Sequence, residues 1–193
     1  MERPAGQRDG ADLVSNTKTI TLLKPVTFEG KTYESLDLKE PTAGQMEKAE
    51  KLSEKYGFTV VLVAEVSGVP IGAVDLMGQR DTEAAEEYLS GSFGMDDENE
   101  QIEESPEEKT ITLLKPITLG DLTFNELDLR EPTNAERRKA SQAGGSFSIA
   151  IAQIALLGNW PKVAVKMLCA RDFMEAVRYF GGFSKRRPRT GSR

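Results

Sequence analysis

Residues 18–25 read Lys-Thr-Ile-Thr-Leu-Leu-Lys-Pro, and residues 109–116 repeat the same side chains in the same order. Thr-Ile-Thr-Leu alternates polar and apolar residues with a period of two, the mark of a half-buried strand. The offset of 91 positions then persists without a gap. Leu36-Asp37-Leu38 is matched by Leu127-Asp128-Leu129, Glu40-Pro41-Thr42 by Glu131-Pro132-Thr133, Arg80-Asp81 by Arg171-Asp172, and Tyr88 by Tyr179. An ungapped register means that both copies keep the same elements and loop lengths, because an altered loop would have shifted the offset. Two repeats are too few for a solenoid, so the chain reads as two homologous domains, 18–94 and 109–183.

Outward from these units, composition changes abruptly. Residues 95–108 hold eight acidic side chains and Pro106, which predicts a flexible acidic linker. Residues 1–17 and the basic tail 184–193 are expected to be disordered. The copies carry net charges of −5 and +3, a difference that favours their docking on each other.

Within a unit, the Thr-Ile-Thr-Leu alternation, a turn signal at Glu29-Gly30 or Gly120-Asp121, and the Leu-Asp-Leu alternation predict a β-hairpin. Pro25 and Pro116 lack a donor N–H and belong at an edge or bend. Pro41 and Pro132 end the hairpin, and Thr42 with Gln45, or Thr133 with Glu136, forms a capping box that starts a helix. Thr59–Val66 alone would suit a strand, but its counterpart Ser148–Leu156 favours helix through Ala150, Ala152, Ala155, Gln153 and Leu156, so both are read as helix. Val69-Pro70 and Trp160-Pro161 open a short third helix, and Asp81 and Asp172 are expected to cap a fourth, the latter in a box with Glu175. The fold class is α+β, a tandem duplicated unit with an N-terminal hairpin and about four short helices in each copy. A lone hairpin is marginal in water, so the two hairpins are expected to pair with each other, or with those of another chain.

The chain contains no histidine, and Cys169 is its one cysteine. That removes an internal disulfide, the usual zinc and haem ligand sets and histidine acid–base chemistry. No catalytic, cofactor or metal residues are expected, and the chain is not read as an enzyme. Cys169 reads as inert packing. No run of about 18 apolar residues or signal-like segment occurs, so a cytoplasmic protein without a membrane partner is expected.

The Thr-Ile-Thr-Leu-Leu-Lys-Pro hairpin, the Leu-Asp-Leu-Lys/Arg-Glu-Pro-Thr segment, and the late Arg-Asp before the last helix resemble the tail assembly chaperones of contractile-tailed, Mu-like phages. In these terms the motif residues are Lys24, Pro25, Leu38, Glu40, Pro41 and Thr42, with Lys115, Pro116, Leu129, Glu131, Pro132 and Thr133. The resemblance covers both copies, whereas the usual unit in that family is single. It implies a non-enzymatic protein of phage or prophage origin that binds the tape measure protein, keeps it soluble and promotes tail tube assembly. Contact with tube subunits, a cytoplasmic location in the host and absence from the mature virion follow from the same implication. Two other readings stand beside it: a structural component retained in the tail, and a nucleic-acid-binding regulator acting through the basic tail. Nucleic acid is not the expected partner, because the tail has no interleaved aromatics.

The second copy reads as the gripping one. Phe147, Ile151, Trp160, Met167, Phe173, Tyr179, Phe180 and Phe183 concentrate large apolar groups in its helical half, which suits adaptable binding of apolar helices. It also weakens its own first helix, with Arg137 at the Met46 position, Ala143 at Leu52, and Gly144-Gly145 at Ser53-Glu54. An early end to that helix would leave part of the next one open to a client.

Overall fold

The alternating segments fold as two antiparallel hairpins. A computed structural model describes residues 17–93 and 105–183; in it β1 (Lys18–Phe28) pairs with β2 (Lys31–Leu38), and β3 (Glu108–Leu119) with β4 (Leu122–Arg130). Glu29 and Gly30 both take positive φ, 49° and 79°, whereas Gly120 alone does so in the second turn, at 61°. The first pattern is that of a type I′ turn and the second that of a type II′ turn, both matched to strand twist.

Each ladder breaks at the same place. Register passes from Thr21↔Ser35 to Val26↔Tyr33 in the first hairpin, and from Thr112↔Glu126 to Ile117↔Phe124 in the second. The Leu-Leu-Lys-Pro stretch therefore bulges out of the sheet, where a proline costs no ladder bond. A carboxylate takes up one freed donor in each copy: Leu23 N–H donates to Asp81 Oδ1 at 3.0 Å, and Leu114 N–H to Asp172 Oδ2 at 3.1 Å.

Four helices follow each hairpin. They are α1 (Ala43–Tyr56), α2 (Phe58–Ser67), α3 (Ile71–Val74) and α4 (Gln79–Ser92), then α5 (Asn134–Ser141), α6 (Ser146–Leu157), α7 (Lys162–Lys166) and α8 (Ala170–Gly182). Both capping boxes form, Thr42 with Gln45 and Thr133 with Glu136. Asp81 and Asp172 do not cap the last helices, contrary to the expectation. The N-caps are Gly78 and Cys169, which puts each aspartate in the first turn with its carboxylate committed to the hairpin bulge. Glu175 pairs instead with Lys109 at 2.8 Å.

The hairpins do not pair with each other; they form two separate two-stranded sheets. Each is stabilised by its own helices, α3 and α4 on β1, α2 on β2, α7 and α8 on β3 and α6 on β4. Leu36, Leu38, Leu127 and Leu129 point into this packing and join one hydrophobic cluster with Met46, Val61, Ile154 and Phe173. The expected linker also ends earlier than Lys109. Ser105 Oγ donates to the Tyr179 carbonyl at 2.7 Å, the Tyr179 hydroxyl donates to the Glu107 carbonyl at 2.9 Å, and Glu108 already pairs with Arg130. The rest of the acidic stretch, the N-terminal segment and the basic tail lie outside the described residues.

The two units dock front to back. The front of unit one, Glu40–Thr42 with α1, meets α6, α7 and the start of α8. Ala43 N–H donates to the Leu168 carbonyl at 2.9 Å and Ala170 N–H to the Pro41 carbonyl at 2.8 Å, forming a Thr42–Cys169 bridge. Gly145 and Cys169, the caps of α6 and α8, supply no side-chain cap bond. Carboxylates of unit one supply acceptors there: Glu50 Oε2 accepts from Phe147 N–H at 3.1 Å, and Glu40 Oε1 from Arg171 N–H at 3.3 Å. Negative groups at helix starts are favoured because the unsatisfied N–H groups there carry positive charge.

Glu47 sits at the centre of this interface, 8% exposed. It accepts from Ser148 Oγ at 2.9 Å and pairs with Lys166 at 2.7 Å and Lys51 at 2.8 Å. Burial pushes its carboxyl up, but Lys166, Lys51 and Ser148 together outweigh burial and hold it at about 2. Phe58 stacks on Phe147 across the same interface, ring centroids 5.8 Å apart.

Candidate partner-binding groove

The first helix of each unit covers the second, but to different extents. In unit one, α1 runs 14 residues and buries Val61 and Ala64 of α2, with Lys48 closing the edge on Glu65 at 2.7 Å. In unit two, α5 stops after 8 residues. Gly144 follows at φ 102°, and Arg137 is exposed where Met46 is fully buried. Ala152 and Ala155, the counterparts of Val61 and Ala64, are left half-buried, and Leu156 stands where unit one has Glu65.

A groove of about 470 Å³ opens as a result, lined by Ala143, Ala152, Ala155, Leu156 and Trp160, with Lys139 and Lys162 on its rim. Trp160 is held at its end against Phe124, ring centroids 4.5 Å apart. Replacing Glu65 by Leu156 removes the carboxylate that pairs Lys48 in unit one, so Lys139 has no ion-pair partner among the described residues. An apolar floor with cationic rims suits an apolar helix carrying acidic residues at its margins.

Among the described residues no group of three or more His, Cys, Asp or Glu side chains is placed to hold a metal ion. Burial pushes the Cys169 thiol up to about 12, which leaves scarcely any thiolate at neutral pH. Among the same residues no helix is long and apolar enough to cross a membrane.

The family described as phage tail assembly chaperone proteins, E, or 41 or 14, matches residues 19–94 and, a second time, residues 110–185. The chain belongs to that chaperone family. Each match spans one hairpin and its helices, so the family unit is the structural unit and this member carries it twice. Comparison with curated proteins and with solved structures gives no match.

In this tail assembly chaperone the motif residues occupy structural junctions. Lys24-Pro25 and Lys115-Pro116 form the bulges, Leu38 and Leu129 are buried at the hairpin ends, and Glu40, Pro41 and Thr42 join the units. Glu131 and Thr133 remain exposed. The aromatic set divides. Ile151, Phe173, Tyr179 and Phe180 are buried, Phe147 lies between Phe58 and Phe173, and Phe183 packs edge-on to Tyr179. Met167, 43% exposed, ends α7 away from the groove lining, and of the eight only Trp160 lines the groove. Ala152 and Ala155 escape a search for large apolar groups, and Leu156 is neither aromatic nor set apart from the other apolar residues of α6. The signal that finds them is the shortened helix beside them.

Proposed function

We propose that the chain is a non-enzymatic chaperone for the phage tail tape measure protein, holding it soluble in the host cytoplasm while tube subunits assemble around it. The observation that carries this reading is the groove over α6, present in the unit whose covering helix is cut short and closed in the other. A long helical client whose apolar face is not yet enclosed by the tube needs a surface of this kind, one that binds reversibly and then releases. Family membership supports the role in tail assembly.

Co-expression with the tape measure protein tests it. The client is expected to move into the soluble fraction and to be captured with the chain, and Ala155→Arg, which places a charge on the groove floor, is expected to abolish capture. A client equally insoluble with and without the chain refutes the reading. Mass spectrometry of purified virions adds a second check, since the chain is expected to be missing from finished particles.

A further inference from the structure

The contact inside the chain uses one front and one back, and leaves another of each exposed. The unused front, Glu131-Pro132-Thr133 with α5, has the same three residues as the docked Glu40-Pro41-Thr42. The unused back is a groove of about 760 Å³ beside Lys24, Gly78 and Arg80. These stand where unit two places Lys115, Cys169 and Arg171, the residues that receive the docked front.

The central charge pair is exchanged rather than lost. Glu47 of the docked front is replaced by Arg138 in the unused one, and its partner Lys166 by Asp75. Arg138 and Asp75 are both exposed, and neither makes an ion pair among the described residues. The exchange still sets a longer side chain against a shorter one. Ala135 replaces Gly44, where a Cβ would meet the Lys166 carbonyl at 3.1 Å, so the second contact is set slightly wider.

We infer that unit two docks its front into the back of unit one of a second copy of this chain, so that chains associate head to tail. Arg138 then faces Asp75, and Glu131 meets the start of α4 beside Arg80 and Lys24, as Glu40 meets α8 beside Arg171 and Lys115. A heterologous contact of this type closes into a ring or continues as an open array. Opposite charge at its centre makes it sensitive to salt.

Sedimentation of the full-length chain over a concentration series is the test, and it is independent of any client. The mass is expected to rise in multiples of 21.2 kDa. Arg138→Glu and Asp75→Lys are each expected to weaken association roughly tenfold or more at low salt, and their combination to restore it. A mass fixed at 21.2 kDa at the highest soluble concentration overturns the inference. So does a double variant that associates no better than the single ones.

Discussion

Unit one seals its second helix beneath its first, while unit two leaves the same helix partly open. Both share the hairpin bulge, the aspartate that serves it and the capping box that launches the first helix. They differ in how far that helix continues, 14 residues against 8. The framework is held by backbone hydrogen bonds that any copy must satisfy. The cover depends on a few side chains: Met46 gives way to Arg137, and Glu65 to Leu156. A duplication can therefore keep one unit as a closed support and turn the other into an open surface without altering the fold of either.

The sharpest way to break the comparison is at Phe173, which is fully buried and neighbours Phe147 with ring centroids 6.1 Å apart. Its counterpart in unit one is Thr82. Phe173→Ala is expected to cost about 3–5 kcal/mol, and Thr82→Ala only about 0.5 kcal/mol or less, both read from denaturant midpoints. Equal costs would mean that the two units do not use their last helices differently.

Acid should loosen the interface between the units through Glu47. Its folded value of about 2 lies below its ordinary 4.5, so the stability it contributes is complete above the ordinary value and is lost as pH falls towards 2. Asp172 acts with the opposite sign. Burial raises it, so falling pH relieves a penalty there. Glu47→Gln is expected to remove about 2 kcal/mol at neutral pH and to flatten the decline of stability between pH 5 and pH 3. A variant that tracks the parent across that range would remove Glu47 from the account.

A smaller effect tests what the units share. Asp81→Ala and Asp172→Ala each strip the acceptor from a bulge N–H, and each is expected to cost about 1–2 kcal/mol. Near-equal values would show that the bulge and its aspartate are one device used twice. A loss confined to one copy would show that they have diverged.

Much of this architecture is legible in the repeat. Period-two alternation, the turn residues and the Thr-x-x-Gln/Glu boxes are local signals whose partners lie within a few residues, and the second copy resolves the one segment that reads equally as strand or helix. What is not legible depends on long-range choices. Asp81 and Asp172 look like caps until the bulge 58 residues away claims them. Glu47 and Lys166 look like ordinary solvated charges until the units meet. The hairpins rest on their own helices because those helices already cover the leucine face that pairing would otherwise have to bury. Large apolar residues such as Ile151 and Phe173 carry no mark of whether they face a client or the core. Beside Trp160 the groove is floored by alanines, which no aromatic search would select.

The smallest predicted difference is also the most direct reading of the cover. Helix α5 contributes only Ala140 to the buried set, whereas α1 contributes Ala43, Met46, Glu47 and Ala49. Few buried contacts and exposed backbone bonds place a helix at the low end of local stability. In the monomeric chain, at concentrations too low for copies to associate, amides of α5 are therefore expected to exchange at least about tenfold faster than those of α1, a ratio that corresponds to about 1.4 kcal/mol. A bound client occupying the groove beside Ala143 and Lys139 would slow α5 and leave α1 unchanged, because α1 is already pinned by α2 on one side and by α6 and α7 on the other. Uniform protection of the two helices in the client-free monomer would mean that the groove is closed in solution, and the contrast between the units would lose its functional meaning.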